Sequence, residues 1–185
     1  MSTMQTTHYL ALLRGINVGG NNIIKMADSK ACFERMGFSN VTTYIQSGNV
    51  LFSSEEKNIE TLIAQIEKAL TKKFNYTSRV LVLSGDMLKE VVDEAPKEFG
   101  KNPDTYRYDV IFIKAPLTPP QAIKEIETKE GVDEVHRGTH ALYFSRTISK
   151  AGQSYLPKVI KLPIYKSMSV RNWNTTTKLL SIMEK

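Results

Sequence analysis

The sequence predicts an α+β fold of two ferredoxin-like (βαββαβ) halves in tandem, with antiparallel or mixed sheets and helices, and three observations carry that prediction. Two β-prone pairs, Val41 to Ile45 with Val50 to Phe52 and Val132 to His136 with Ala141 to Phe144, are each joined by a short polar turn and read as hairpins. Residues 7 to 83 read βαββαβ, and after a polar stretch residues 106 to 170 read βαββαβ again, which is the element order of the split-βαβ module. Hairpins make antiparallel neighbours, so a doubly wound parallel sheet is the disfavoured rival.

In chain order, Thr7 to Leu13 is short and uniformly apolar and reads as a buried strand. A glycine- and asparagine-rich loop follows from Gly15 to Asn22, then Asp28 is placed to cap a helix that Gly37 stops. From Asn58, residues Ile59, Leu62, Ile63, Ile66, Ala69 and Leu70 fall on one helical stripe. Arg79 to Leu83 is a strand, and Ser84 caps a helix that turns Met87, Leu88, Val91, Val92 and Ala95 inward and ends near Pro96. Residues 97–105, with Gly100 and Pro103, are the linker between a first module, 1–96, and a second, 106–185. There Tyr106 to Lys114 is a strand, and Thr118 with Pro119 opens a helix that Gly131 ends. A helical segment near Gly152 to Ile160, a strand near Ser167 to Val170 and a last helix from Asn172, with Trp173, Leu180 and Met183 on its inner stripe, complete the chain. No short repeat accompanies the duplicated order.

With 41% hydrophobic and 24% charged residues over 185 positions, the chain can bury a core without disulfides or a structural metal. Its one cysteine, Cys32, cannot form an internal disulfide, so a reducing, cytoplasmic setting is expected, and Cys32 itself reads as a small buried hydrophobe. Arg14 ends the first apolar run, and no signal or membrane-spanning segment is expected. Residues 1–100 are neutral, with 11 basic and 11 acidic side chains, whereas residues 135–185 carry 9 basic and 1 acidic. That imbalance fits either a positive field for phosphates and acidic partners or a solvated lysine-rich face.

Three segments could carry chemistry. Gly15, Gly19 and Gly20, flanked by Arg14 and Lys25, can point backbone N–H groups at an anion, with Asn17 adding an amide. The spacing of Gly15 and Gly20 matches a P-loop, but Asn21 and Asn22 replace its lysine and hydroxyl, so nucleotide hydrolysis of that kind is not supported. In Gln46-Ser47-Gly48-Asn49, Gly48 or Asn49 should take a positive φ, while Tyr44 and Gln46 share a strand face and could offer a stacking ring with an amide. The expected module places this turn and the first loop at opposite ends of the sheet, so a shared site would need the second module as a bridge. In the third segment, Asn172 or Asn174 can cap the last helix, and Arg171 at a helix N-terminus suits a phosphate or carboxylate. Each segment also has a plain reading as turn, cap or core. His136 and His140 straddle a turn rather than a helical face, no metal cluster or Gly-x-Ser-x-Gly elbow is present, and no cofactor is expected.

Arg14-Gly-Ile-Asn-Val-Gly-Gly, Thr43-Tyr-Ile-Gln-Ser-Gly-Asn-Val and Arg171-Asn-Trp-Asn-Thr with Lys178-Leu179 resemble the bacterial family called domain of unknown function 1697. The resemblance spans nearly the whole chain; it implies an α+β fold of two ferredoxin-like halves and brings no established activity. Ser169-Val170 stands where the family often has two threonines, so a role for hydroxyls just before Arg171 is not carried over. The leading expectation is a module that binds an anionic ligand, a small molecule or nucleic acid, with Tyr44, Tyr106 and Tyr108 as possible stacking surfaces. The alternatives are an enzyme that holds a small phosphorylated or carboxylated substrate with Arg14 and Arg171 in a cleft between modules, and a protein-interaction role. No signal for an oligomeric state is present.

Overall fold

The computed structural model describes residues 6–185. They form a mixed α+β chain with two four-stranded antiparallel sheets, ordered β2-β3-β1-β4 and β6-β7-β5-β8. One compact unit runs through Leu88 and takes in Lys185; the second is Lys89–Glu184. Among the described residues no helix is long and apolar enough to cross a membrane.

In the first unit β1 (Thr7–Arg14) lies between β3 (Asn49–Ser54) and β4 (Arg79–Ser84), with β2 (Ser39–Tyr44) at the edge. Side chains alternate along β1, and Tyr9, Ala11 and Leu13 pack with α1 (Met26–Arg35) and α2 (Ile59–Phe74). Leu10 and Leu12 on the other face are fully buried too, which is why this strand is uniformly apolar rather than alternating. Phe52 centres the core, its ring 4.5 Å from Phe38, 5.4 Å from Phe33 and 5.5 Å from Tyr9. The α2 stripe forms as the spacing predicts: Leu62, Ile66 and Leu70 are fully buried, and the Asn58 side chain caps the helix by accepting from Thr61 N–H at 3.0 Å. The cap of α1 differs. Lys25 occupies it without a side-chain bond, and Asp28 falls in the first turn, where its charge still favours the helix dipole.

In the second unit β5 (Tyr106–Ile113) lies between β7 (Ala141–Thr147) and β8 (Met168–Asn172), with β6 (Asp133–Arg137) at the edge. Ile111, Leu142, Phe144 and Met168 pack with Ala122, in the middle of α4 (Pro119–Glu125), and with Ile126 just beyond it. Thr118 and Gln121 close a capping box on α4, which ends well before Gly131. The helix expected near 152–160 is reduced to 3₁₀ turns at Ile148–Gln153 and Pro163–Ser167 around the four-residue α5 (Leu156–Val159). Gly152, Pro157 and Pro163 leave too few unbroken positions for more. The last helix, α6 (Trp173–Met183), buries Thr176 and Leu179, with Leu180 and Met183 only partly covered.

The stretch 96–105 is a series of turns that buries Phe99 against Tyr108, Tyr143 and Trp173 at ring distances of 4.8, 5.5 and 5.2 Å. Gly100, at φ +85°, lies beneath the indole of Trp173, so a Cβ there would fall on its Nε1 and Cδ1 atoms. The last turn of α3 (Gly85–Asp93) and the residue after it strap the β6–β7 hairpin. The Tyr143 hydroxyl donates to Val91 O at 2.6 Å, His140 Nε2 lies 2.7 Å from Glu90, and Thr139 donates its N–H and hydroxyl to the Glu94 carboxylate at 2.7 and 2.5 Å. Burial pushes the Tyr143 phenol well up, whereas the Thr139 bonds hold Glu94 below the usual carboxylate range.

Gly100→Ala is expected to cost about 2–4 kcal/mol, combining a strained backbone with an overfilled contact. Urea denaturation followed by the emission of Trp173, the single tryptophan, measures it. Because the folded state lowers the Glu94 pKa, this contact adds stability above the unfolded pKa and loses it as pH falls through the folded one. Wild type should therefore exceed Glu94→Gln in stability at pH 7, and the gap should close between about pH 5 and pH 3. Denaturation curves of both proteins across that range test this.

Candidate functional site

Two of the three suspected segments meet at one end of the first sheet. β3 runs antiparallel to β1 with Leu12 opposite Asn49, so the turn that opens β3 lies where β1 ends. This corrects the expectation of opposite ends and removes the need for a bridging module. Leu13 N–H donates to Gly48 O at 2.8 Å. Gly48 has φ +78°, and a Cβ on it would stand 2.9 Å from Leu13 Cβ and 3.0 Å from Leu13 O, so this approach requires glycine.

Asn17 is the clamp between the segments. Its Nδ2 donates to Ile24 O at 3.0 Å and to Gln46 O at 2.9 Å, and its Oδ1 accepts from Ile24 N–H at 2.8 Å. Its φ of +53° suits asparagine, which tolerates the left-handed region better than other side chains. Asn22 Nδ2 donates to Gly15 O at 2.8 Å and closes the loop from within. Asn49 is fully buried and donates to Tyr44 O and Ser47 Oγ, both at 3.0 Å, so it knits its own turn. Asn17 and Asn49, both candidates for ligand contact, thus have definite fastening roles.

What remains open to solvent is specific. Gly15, Gly19, Gly20, Lys25, Gln46 and Ser47 are exposed, while Arg14 and Tyr44 are half-buried. The sign of φ alternates from Gly15 to Gly19, positive at Gly15, Asn17 and Gly19, and Gly20 and Asn22 are positive as well. Among the described residues, the bonds that close the loop are donated by Asn17, Asn21 and Asn22 rather than by the Gly19 or Gly20 amides. Arg14 stands opposite Arg79 in the β1–β4 register, and that Arg79 also leans toward Glu67 at 3.9 Å. Val18, Ile23 and Ile45 are 68%, 78% and 50% exposed, an apolar trio on the same two segments.

The third segment belongs to the second unit. Asn172 caps α6 by accepting from Asn174 N–H at 2.9 Å and also donates to Tyr108 O at 3.2 Å, so it ties β8 to β5. Asn174 is exposed, and Arg171 donates to Val170 O at 2.8 Å. Tyr108 is not a stacking surface: it is buried, and its hydroxyl accepts from Asn102 N–H at 3.3 Å. Cys32 is buried as expected, which pushes its thiol up.

A buried polar group was not anticipated. Asp109 and Asp133 are both nearly enclosed; Arg146 Nη2 lies 3.5 Å from Asp109 Oδ2, and Asp133 Oδ2 accepts from Lys129 and Tyr155 N–H at 3.0 and 2.8 Å. Burial raises the Asp109 pKa, partly offset by Arg146 and Arg107. The signal was there in outline, since Asp109 begins an apolar run, Val110 to Ile113. Among the described residues, no three His, Cys, Asp or Glu side chains group where they could hold a metal ion.

The fold and this end of the first sheet define an α+β protein whose loop after β1 is pinned by asparagine to the β2–β3 turn. The chain belongs to the family described as Protein of unknown function (DUF1697), whose model matches residues 6–143. It is similar in fold to the conserved bacterial protein SP0830 from Streptococcus pneumoniae, with a TM-score of 0.84 at 24% identity over 97% of this chain and 99% of that one. No curated protein matches it.

Asn17→Ala should destabilise by about 1–3 kcal/mol, from three modest hydrogen bonds. Asn17→Asp should cost more, because it turns a carboxylate toward the carbonyls of Ile24 and Gln46. Amide exchange at Ile24 and denaturant midpoints for both variants check the ranking.

Proposed function

We propose that this protein binds an anionic ligand at the end of its first sheet, where Arg14, Gly15, Asn17, Gly19, Gly20 and Lys25 meet Tyr44, Gln46, Ser47 and Asn49. The observation that carries this reading is the alternation of φ sign from Gly15 to Gly19, the sign pattern of backbone anion nests; Asn17 N–H is spent on Asn22 O, so the exposed Gly19 and Gly20 amides are the ones offered to the ligand. Two further features support it. Lys25 adds a cation beside the loop, and the α1 N-terminus has no side-chain cap. Asn17 and Asn49 hold the scaffold, while the exposed backbone and Lys25 make the contact. Val18, Ile23 and Ile45 favour an anion that carries an apolar portion, such as a nucleotide or an acyl phosphate, over inorganic phosphate.

The two units, the first through Leu88 and the second Lys89–Glu184, are ferredoxin-like modules, with the stretch 97–105, expected as a linker, packed inside the second. Their matching strand orders support this, as does the order of elements in each. Arg171, Asn172 and Asn174 form a second, weaker candidate for anion contact in the other module. A reducing, cytoplasmic setting accords with a single buried thiol.

Thermal unfolding with phosphate, nucleotides, sugar phosphates, acyl phosphates and short oligonucleotides tests the proposal. A ligand at ten times its Kd stabilises by about 1.4 kcal/mol and should raise Tm by about 3–6 °C. The shift should shrink with added salt and in Lys25→Ala. No shift with any anion at low ionic strength would sink it.

A further inference from the structure

A recess of about 270 Å³ opens in the second unit between the turns of 96–105 and one face of the β5–β7–β6 sheet. Its floor is a cross-strand row in which Ser145 stands between Tyr108 and Glu134, so one small side chain between two large ones leaves the hollow. One wall is aromatic. Tyr106 and Tyr108 lie on the same face of β5 with centroids 6.1 Å apart, Phe99 packs 4.8 Å from Tyr108, and Tyr106 is 37% exposed. Two carboxylates also line it, Glu98 from the 96–105 turns and Glu134, with His136, from β6.

The charge of this hollow runs against that of the whole molecule. The chain carries a net +6, yet among the described residues the recess is lined by two carboxylates and by no lysine or arginine. Aromatic faces beside carboxylates attract organic cations and repel phosphates. The present partners are weak competitors: Lys101 reaches Glu98 at 3.2 Å and His136 reaches Glu134 at 3.7 Å, both as exposed surface pairs. We propose that this recess binds a small organic ammonium cation, seated over Tyr106 and between Glu98 and Glu134. The volume suits a diamine or the ammonium end of a lysine side chain, and the site is independent of the anion site in the first unit.

The test is titration of the full chain with 1,4-diaminobutane, with an N-acetyl-lysine amide, and with a neutral alcohol of the same size, followed by NMR shifts of the Tyr106, Glu134 and Ser145 amides. Trp173 emission is a second readout, since its ring lies 5.2 Å from Phe99. Saturable binding of a cation but not of the alcohol is expected, weakened about tenfold in Tyr106→Ala and in the Glu98→Gln/Glu134→Gln double variant. Circular dichroism confirms that both variants fold, and Ser145→Leu, which fills the hollow, is a further variant that should abolish binding. Preference for the diamine points to a free amine as the ligand, and preference for the lysine derivative to a protein side chain. Equal binding of the alcohol, unchanged affinity in the folded variants, or no binding of either cation overturns the proposal.

Discussion

The register of β3 against β1, with Leu12 opposite Asn49, organises both the core and the loop end of the first unit. A slip of one residue would move Tyr9, Ala11 and Leu13 away from the helices and bring the opposite face in. The same register sets Gly48 O at Leu13 N–H and carries the Gln46 carbonyl to the Asn17 side chain. One alignment therefore specifies two features that are far apart in the chain. Gly48 enforces it, because a larger residue would press on Leu13 from the turn.

Polar side chains perform much of the fastening elsewhere. Asn17, Asn49 and Asn172 each satisfy backbone groups on neighbouring segments, with both ends of the amide in use at Asn17 and Asn172. An amide suits this because it donates and accepts from one planar group, and a carboxylate or hydroxyl offers less. Asp109, Asp133 and Arg146 are costlier. Among the described residues, Asp109 Oδ2, Asp133 Oδ1 and Arg146 Nε are buried without hydrogen bonds, so the pairing must offset a large desolvation penalty.

Charge in the second unit is distributed in a way its totals hide. Of the basic side chains after residue 135, Arg146 turns inward to Asp109, and Lys158 lies 3.3 Å over the Tyr155 ring. A basic count thus does not translate into a uniform positive face. The carboxylates of Glu98 and Glu134 have the opposite sign to the chain as a whole.

Periodicity and turn chemistry in the sequence were enough to reveal both hairpins, the α2 stripe, and the restart of the element order after residue 105. These depend on neighbours in the chain, and local physics is written locally. The family was legible as well, since its motifs are contiguous. Where a buried surface is made by distant residues the sequence misled, as at Tyr108, placed at a surface where Phe99 covers it; the α1 cap falls at Lys25 rather than Asp28, and the two loop segments share one end of the sheet because β3 runs antiparallel to β1. Strand alignment and burial arise only when separate segments pack together. The amino-acid order therefore determined the elements and their fastening side chains, and tertiary packing alone decided which of those side chains are buried and which face solvent.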